Sequence, residues 1–178
     1  MILETMANLD QKERSSTLIL RHRKENRSKC TLTPLEDRDD LHFLVYPRDL
    51  ATLSFPSTGT LVLVMGAPEL PIARAPAPLL LIDGTWRYAK TMWTQVQRHH
   101  RGPFLQYSLP RCWTAYPRRQ TECEDPEAGL ASIEALYVAH ACLGRPTEGL
   151  LDHYHWKEEF LSKNQALFER IATVHALA

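Results

Sequence analysis

The feature that most constrains this chain is an apolar run without a polar face. Leu79, Leu80, Leu81 and Ile82 follow one another and stop at Asp83, after which come Gly84, Thr85 and Trp86. A strand with one wet face alternates apolar and polar residues. An unbroken run bounded by turn residues predicts a strand covered on both sides, the habit of parallel sheets. The period then changes. Trp86, Ala89, Met92, Trp93 and Val96 recur at three- and four-residue steps, while Arg87, Lys90 and Arg98 fall mostly on the other side. That spacing predicts an amphipathic helix. The junction puts a carboxylate at the carboxyl end of a strand, where open α/β sheets bind ligands. Burying a carboxylate is costly unless it is paired or used. Asp83 therefore either caps the helix, a role aspartate fills well, or serves a site.

The rest of the chain supports the same class. Thr17–Leu20 reads as a first strand, Leu41–Tyr46 as a second ending at Pro47, and Leu61–Met65 as a third after the turn Ser57-Thr58-Gly59. Pro68, Pro71, Pro76 and Pro78 keep the next connection extended and irregular. Leu79–Ile82 is the fourth strand, and Phe104–Leu109 the fifth, stopped by Pro110. A helix is expected over about Glu127 to Leu143, with Leu130, Ile133, Leu136 or Tyr137, and Ala141 on its apolar stripe. Gly144 follows its end and Pro146 lies just beyond. A last helix is expected from about Thr147 to the C-terminus, packed through Leu150, Tyr154, Leu161 and Phe168. Strands at short intervals that later alternate with helices predict a single α/β domain, with a largely parallel sheet and flanking helices. Residues 1–14 read as a loose tail and 15–178 as the folded domain, without repeat or linker.

Composition narrows the function classes. The 178 residues suffice for one compact core. The formal net charge is zero, which removes any bulk attraction to nucleic acid or membrane. No apolar run approaches the ~20 residues of a membrane helix. Met1 to Arg14 has no apolar leader core, so a cytoplasmic protein is expected. Cys30, Cys112, Cys123 and Cys142 include no C-x-x-C pair and read as reduced thiols. His99-His100 sits near a helix end, and His153 and His155 fall on different faces, so no metal is expected. No G-x-G-x-x-G, Walker loop or G-x-S-x-G elbow is present. A cofactor would have to be held mainly by backbone loops.

Three places carry candidate chemistry. Asp83, Thr85 and Trp86 stand at a junction that offers backbone donors and close approach past Gly84. Glu134 lies among small and apolar residues, either on a solvent face or poised in a pocket. Arg21, Arg23, Lys24, Arg27 and Lys29 are opposed by one acid, Glu25, and Arg111, Arg118 and Arg119 form a second basic stretch. Two basic loops on a neutral chain read either as solubilising surface or as a local phosphate-binding face.

Several of these segments, in order, resemble RNA aminocarboxypropyltransferases. Asp83-Gly84-Thr85-Trp86 is similar to the Asp-x-Thr/Ser-Trp motif shared by the DTW-domain family, which modifies tRNA uridine, and the small-subunit ribosomal RNA family, which modifies a pseudouridine. Ser28-Lys29-Cys30-Thr31 resembles a Lys-Lys-Cys-Thr segment, and Leu109-Pro110 a Leu-Pro step. Leu130-Ala131-Ser132-Ile133-Glu134-Ala135 resembles a Leu-Ser-x-x-Glu-Ala helix. His155-Trp156 through Phe160 and Asn164 resembles a closing Lys-Trp-Gly…Phe…Asn pattern. The chain departs from both groups. Only Cys30 stands where the DTW family has a cysteine cluster. Gly84 stands where the ribosomal family has Cys, and Tyr116-Pro117-Arg118-Arg119-Gln120 where it has Asn-Pro-Val-Asn-Tyr. A third, intermediate branch would fit these departures.

The resemblance implies a SPOUT-like fold with a deep trefoil knot, a monomer, and S-adenosylmethionine as donor. It implies tRNA or rRNA as partner and transfer of a 3-amino-3-carboxypropyl group to a base nitrogen. By the same resemblance, Asp83 is the catalytic carboxylate, as proton acceptor or stabiliser of the sulfonium, and Glu134 binds the donor ammonium or the incoming base. Thr31, Thr85, Trp86, Leu109, Pro110, Leu130 and Ser132 would hold the donor. Arg21, Arg23, Lys24, Arg27, Lys29, Arg118 and Arg119 would bind RNA. A SPOUT-type methyltransferase and a non-catalytic RNA-binding or ribosome-assembly protein are the alternatives.

Overall fold

The computed structural model describes residues 16–117 and 129–178. The tail expected over residues 1–14, the expected helix start at Glu127, and Cys123, Arg118 and Arg119 lie outside the described residues. Five strands, β1 (Thr17–His22), β2 (Leu41–Tyr46), β3 (Thr60–Leu63), β4 (Leu79–Asp83) and β5 (Phe104–Tyr107), form one sheet in the order β2-β1-β4-β3-β5. Every pairing is parallel. The apolar run is β4, at the centre, which is why it has no polar side.

Successive side chains of a strand point to opposite faces, and each face has its own cover. Leu20, Val62 and Leu80 pack against Met92 and Val96 of α1 (Trp86–His99). Ile19, Leu61, Leu79 and Leu81 face the other way. There they meet α2 (Ser132–Cys142), α3 (Lys157–Lys163) and α4 (Gln165–Leu177), through Ile133, Leu136, Phe160 and Ile171. Among the described residues, no helix is long and apolar enough to cross a membrane.

Three expectations are corrected. The second helix begins at Ser132 rather than near Glu127, because Ala131 is extended (φ −64°, ψ 153°) and the Glu134 carboxylate folds back onto its N–H. That helix has no polar stripe: Ile133, Glu134, Leu136, Val138, Ala139, His140 and Cys142 are all buried. The final helix starts at Lys157 rather than near Thr147 and is two helices, broken at Asn164. Its side chain accepts a hydrogen bond from Trp113 N (2.7 Å) and donates to the Trp113 and Phe160 carbonyls.

The connections define where a ligand can enter. From β1 the chain turns to β2 at one edge, whereas from β4 it passes through α1 to β5 at the other edge. The carboxyl ends of β1 and β4 therefore flank a topological switch point, the crevice at which such sheets bind ligands. β1 runs beyond the expected Leu20 to His22, and β4 includes Asp83. In register, Arg21 stands opposite Asp83.

At the amino end of the sheet a polar network is sealed in. His140 Nδ1 donates to the Pro146 carbonyl (3.0 Å), so its Nε2 accepts from the Thr17 hydroxyl (2.9 Å). That hydroxyl accepts in turn from Arg145. Burial lowers the His140 pKa from 6.5 to about 4. The unfolded chain then binds a proton that the folded chain refuses. Stability should fall as pH drops from about 6.5 towards 4, by up to about 3 kcal/mol. Urea melts across this range check it: His140→Asn should flatten that limb, and an unchanged slope would show that His140 does not set it.

Candidate active site

Two buried carboxylates organise the carboxyl side of the sheet, and their surroundings differ. Asp83 is 2% exposed. Its Oδ2 accepts from Arg21 Nε (2.8 Å) and from the Cys30 thiol (3.4 Å), and its Oδ1 accepts from the Ser132 hydroxyl (2.8 Å). Thr85, not Asp83, is the N-cap of α1, and no side chain caps that helix. The capping role is therefore excluded. A carboxylate offers about four acceptor positions, so three contacts leave Oδ1 able to take one more.

Arg21 is corrected from a surface cation to a buried partner. It is 7% exposed, its Nη1 pairs with Glu36 (2.5 Å), and its guanidinium lies 4.9 Å from the Phe43 ring centroid. Burial alone would lower its pKa, but the hydrogen bonds and charges of Asp83 and Glu36, with Cys30, leave it raised. Two carboxylates already hold the charge that a phosphate would need. Cys30 is pushed up to about 11 by burial and by the Asp83 charge. It is a thiol donor here, not a nucleophile.

Glu134 is fully buried and has its acceptor positions filled. Oε1 accepts from Ala115 N (2.9 Å) and Tyr154 Oη (2.8 Å); Oε2 accepts from Thr114 Oγ1 (2.6 Å) and Ala131 N (2.8 Å). Neither a solvent face nor an open pocket describes it. A ligand would have to displace one of these four bonds to make the expected contact with donor or base, so the geometry favours a positioning role. Glu134 ties Thr114 and Ala115, the start of α2 and Tyr154 together, two residues from Ser132, which reaches Asp83.

The remaining candidates divide by position. Leu109 and Leu130 pack on the core cluster that contains Cys30 and Ala131. Pro110 is buried, Thr31 half-buried and Thr85 exposed. Trp86 opens α1 with its indole Nε1 buried and without a hydrogen-bond partner among the described residues, and Arg21 Nη2 is in the same state. Arg23, Lys24 and Lys29 are exposed; Arg27 is exposed and pairs with Glu36. Glu36, Thr114 and Tyr154 escaped sequence reasoning, because their partners stand 9 to 20 residues away, outside any helix or strand period.

The arrangement defines an α/β protein with a wholly parallel five-stranded sheet and a buried, arginine-paired aspartate at its switch point. No family model matches the chain, and no curated protein sequence does. Among solved structures it is similar to the SAM-dependent rRNA:acp-transferase Tsr3 from Vulcanisaeta distributa. The TM-score is 0.61 and the identity 22%, over 89% of this chain and 84% of that one. The two chains share a fold.

Glu134→Gln tests the positioning role. Whichever way the amide turns, its NH2 faces a backbone N–H of Ala115 or Ala131. The variant should lose about 2–3 kcal/mol in urea unfolding, the cost of a lost bond to a charged acceptor with a buried donor left over. Wild-type stability would show that the four contacts do not organise the site.

Proposed function

We propose that this protein transfers the 3-amino-3-carboxypropyl group of S-adenosylmethionine to a uridine or pseudouridine base of tRNA or rRNA. One observation carries the reading. Asp83 of the Asp83-Gly84-Thr85-Trp86 motif is buried at the switch point and bonded to Ser132 of the Leu130–Ala135 segment. The likeness in fold to an enzyme named as an SAM-dependent rRNA:acp-transferase supports it. The SPOUT-like class and the deep trefoil knot belong to the same proposal.

The residues present suit such a donor. Trp86 Nε1 and Arg21 Nη2 are buried donors without partners among the described residues; Trp86 stands three residues after Asp83, and Arg21 contacts it. Thr31, Thr85, Trp86, Leu109, Pro110, Leu130 and Ser132 are the residues that would hold it. When bound, S-adenosylmethionine supplies a sulfonium leaving group, so the protein's task is mainly to orient one carbon towards the base. Asp83 Oδ1, with an acceptor position to spare, takes the N–H of the attacking base nitrogen and draws its proton away. Arg21 and Ser132 fix the carboxylate for that contact. Trp86 excludes water.

Nucleoside mass spectrometry after incubation with S-adenosylmethionine and RNA tests the reaction. A product heavier by one aminocarboxypropyl group is expected. A methylated product would favour the methyltransferase reading, and no product with no donor binding would favour an RNA-binding protein. Asp83→Asn, which keeps an oxygen for Arg21, should bind donor within a few-fold of wild type and lose about 10²–10⁴-fold in turnover. Undiminished turnover would reduce Asp83 to an anchor for Arg21.

RNA is the proposed partner, met by Arg23, Lys24 and Lys29 on the exposed loop; Arg118 and Arg119 remain part of that proposal. Phosphate contacts position RNA without reading its sequence. Replacing Arg23, Lys24 and Lys29 by Ala should weaken every RNA tested and lower the slope of log K against log salt by about 0.7 per lost contact. An unchanged slope would make the loop solvated surface only.

A further inference from the structure

A feature that the reaction does not use lies on the other face of the sheet, one residue from Asp83. His22 ends β1 and points towards α1. Its ring stacks on Tyr88 at 3.9 Å between centroids with 12° between planes, and lies 5.8 Å from Tyr46 at 27°. The three rings form a column: Tyr46 from the end of β2, His22 in the middle, Tyr88 from the first turn of α1. A Cβ added at Gly84 would come within 3.3 Å of His22 and 3.6 Å of Tyr88. Gly84, next to Asp83, therefore abuts the base of the column. His22 is buried, but both tyrosines are only half-buried. Both pack on the rim of the core cluster beneath α1, so part of each ring meets solvent. Cations surround them: Arg23 and Lys24 are exposed and follow His22 directly, and the Arg87 guanidinium stands 5.8 Å from the Tyr88 centroid.

We propose that this edge is a platform for single-stranded RNA, on which a nucleotide neighbouring the target stacks on the Tyr46–His22–Tyr88 column while Arg23, Lys24 and Arg87 hold phosphates. Stacked aromatic faces beside a cationic track are the means by which proteins hold single strands without reading sequence, since every base has a π-face. A duplex offers no free base face here and would meet only the cations. The proposal rests on the RNA reading above and concerns how RNA is held, not which group is transferred.

Fluorescence anisotropy without donor tests it, using a labelled uridine oligonucleotide and a fully abasic one of equal length and phosphate number. Wild type should bind the uridine strand roughly 5- to 150-fold more tightly, the span of one base–aromatic stack. The Tyr46→Leu/Tyr88→Leu variant should lose that preference, and Tyr88→Phe should keep it. Arg23→Ala/Lys24→Ala should weaken both strands alike and leave the preference intact. Should the double variant fail to melt cooperatively, Tyr46→Leu alone carries the comparison, its ring being the farther from His22. A preference that survives the leucine substitutions, or a wild type that binds both strands equally, overturns the platform. Base preference without aminocarboxypropyl transfer leaves the platform standing and sinks the reaction; transfer without base preference sinks the platform alone.

Discussion

The Arg21–Asp83 pair is the interaction on which the carboxyl side of the sheet is built. Two charges removed from water cost several kcal/mol each, and their attraction offsets this best when the remaining donors and acceptors are also satisfied. Here Ser132 reaches the carboxylate from α2, Cys30 from the loop after β1, and Glu36 takes the guanidinium, while Arg21 Nη2 is left without a partner among the described residues. Phe43 of β2 covers its face. Two central strands, the loop after β1 and α2 are thereby held to one point at the switch of the sheet. Arg21 fixes where the Asp83 oxygens stand, and a fixed acceptor is what a reacting N–H requires.

Glu134 does for α2 what Arg21 does for the strands. Its four bonds gather two backbone N–H groups and two hydroxyls from three separate segments. The helix start then presents Ser132 to Asp83. One carboxylate keeps an open acceptor position and the other has none. That difference separates a group able to meet a ligand from one that holds the frame. Asn164 plays a comparable part further out, interrupting the last helix to clasp both backbone groups of Trp113.

A chain with zero net charge can still present a cationic face, because its charges are unevenly spent. Of the five basic residues between 21 and 29, Arg21 and Arg27 are engaged by Glu36, while Arg23, Lys24 and Lys29 face solvent. The exposed ones follow His22, whose ring belongs to the aromatic column on the α1 side. The Arg21–Asp83 pair and the column thus share the carboxyl edge of the sheet, on opposite faces, because residues 21 and 22 point in opposite directions.

Local pattern carried the sheet. The unbroken run Leu79–Ile82 determined a central strand covered on both faces, the repeat from Trp86 to Val96 determined α1, and their junction placed Asp83 at a ligand-binding edge. These were legible because strand and helix periods are properties of neighbouring residues. Partnerships were not. Arg21 reads as one of five loop cations, and only the parallel register of β1 on β4 brings it to Asp83, 62 residues away. Glu134 reads as a solvated or poised acid, and only the approach of Thr114, Ala115 and Tyr154, each 19 or 20 residues off, fills its oxygens. The late start of α2 comes from Glu134 bonding back to the Ala131 N–H three residues earlier, whereas the break at Asn164 comes from a side chain that bonds the distant backbone of Trp113. Which strands and helices form was thus written in short-range pattern, and what each charge does was decided by tertiary contact, since burial and pairing depend on groups that sequence spacing does not bring together.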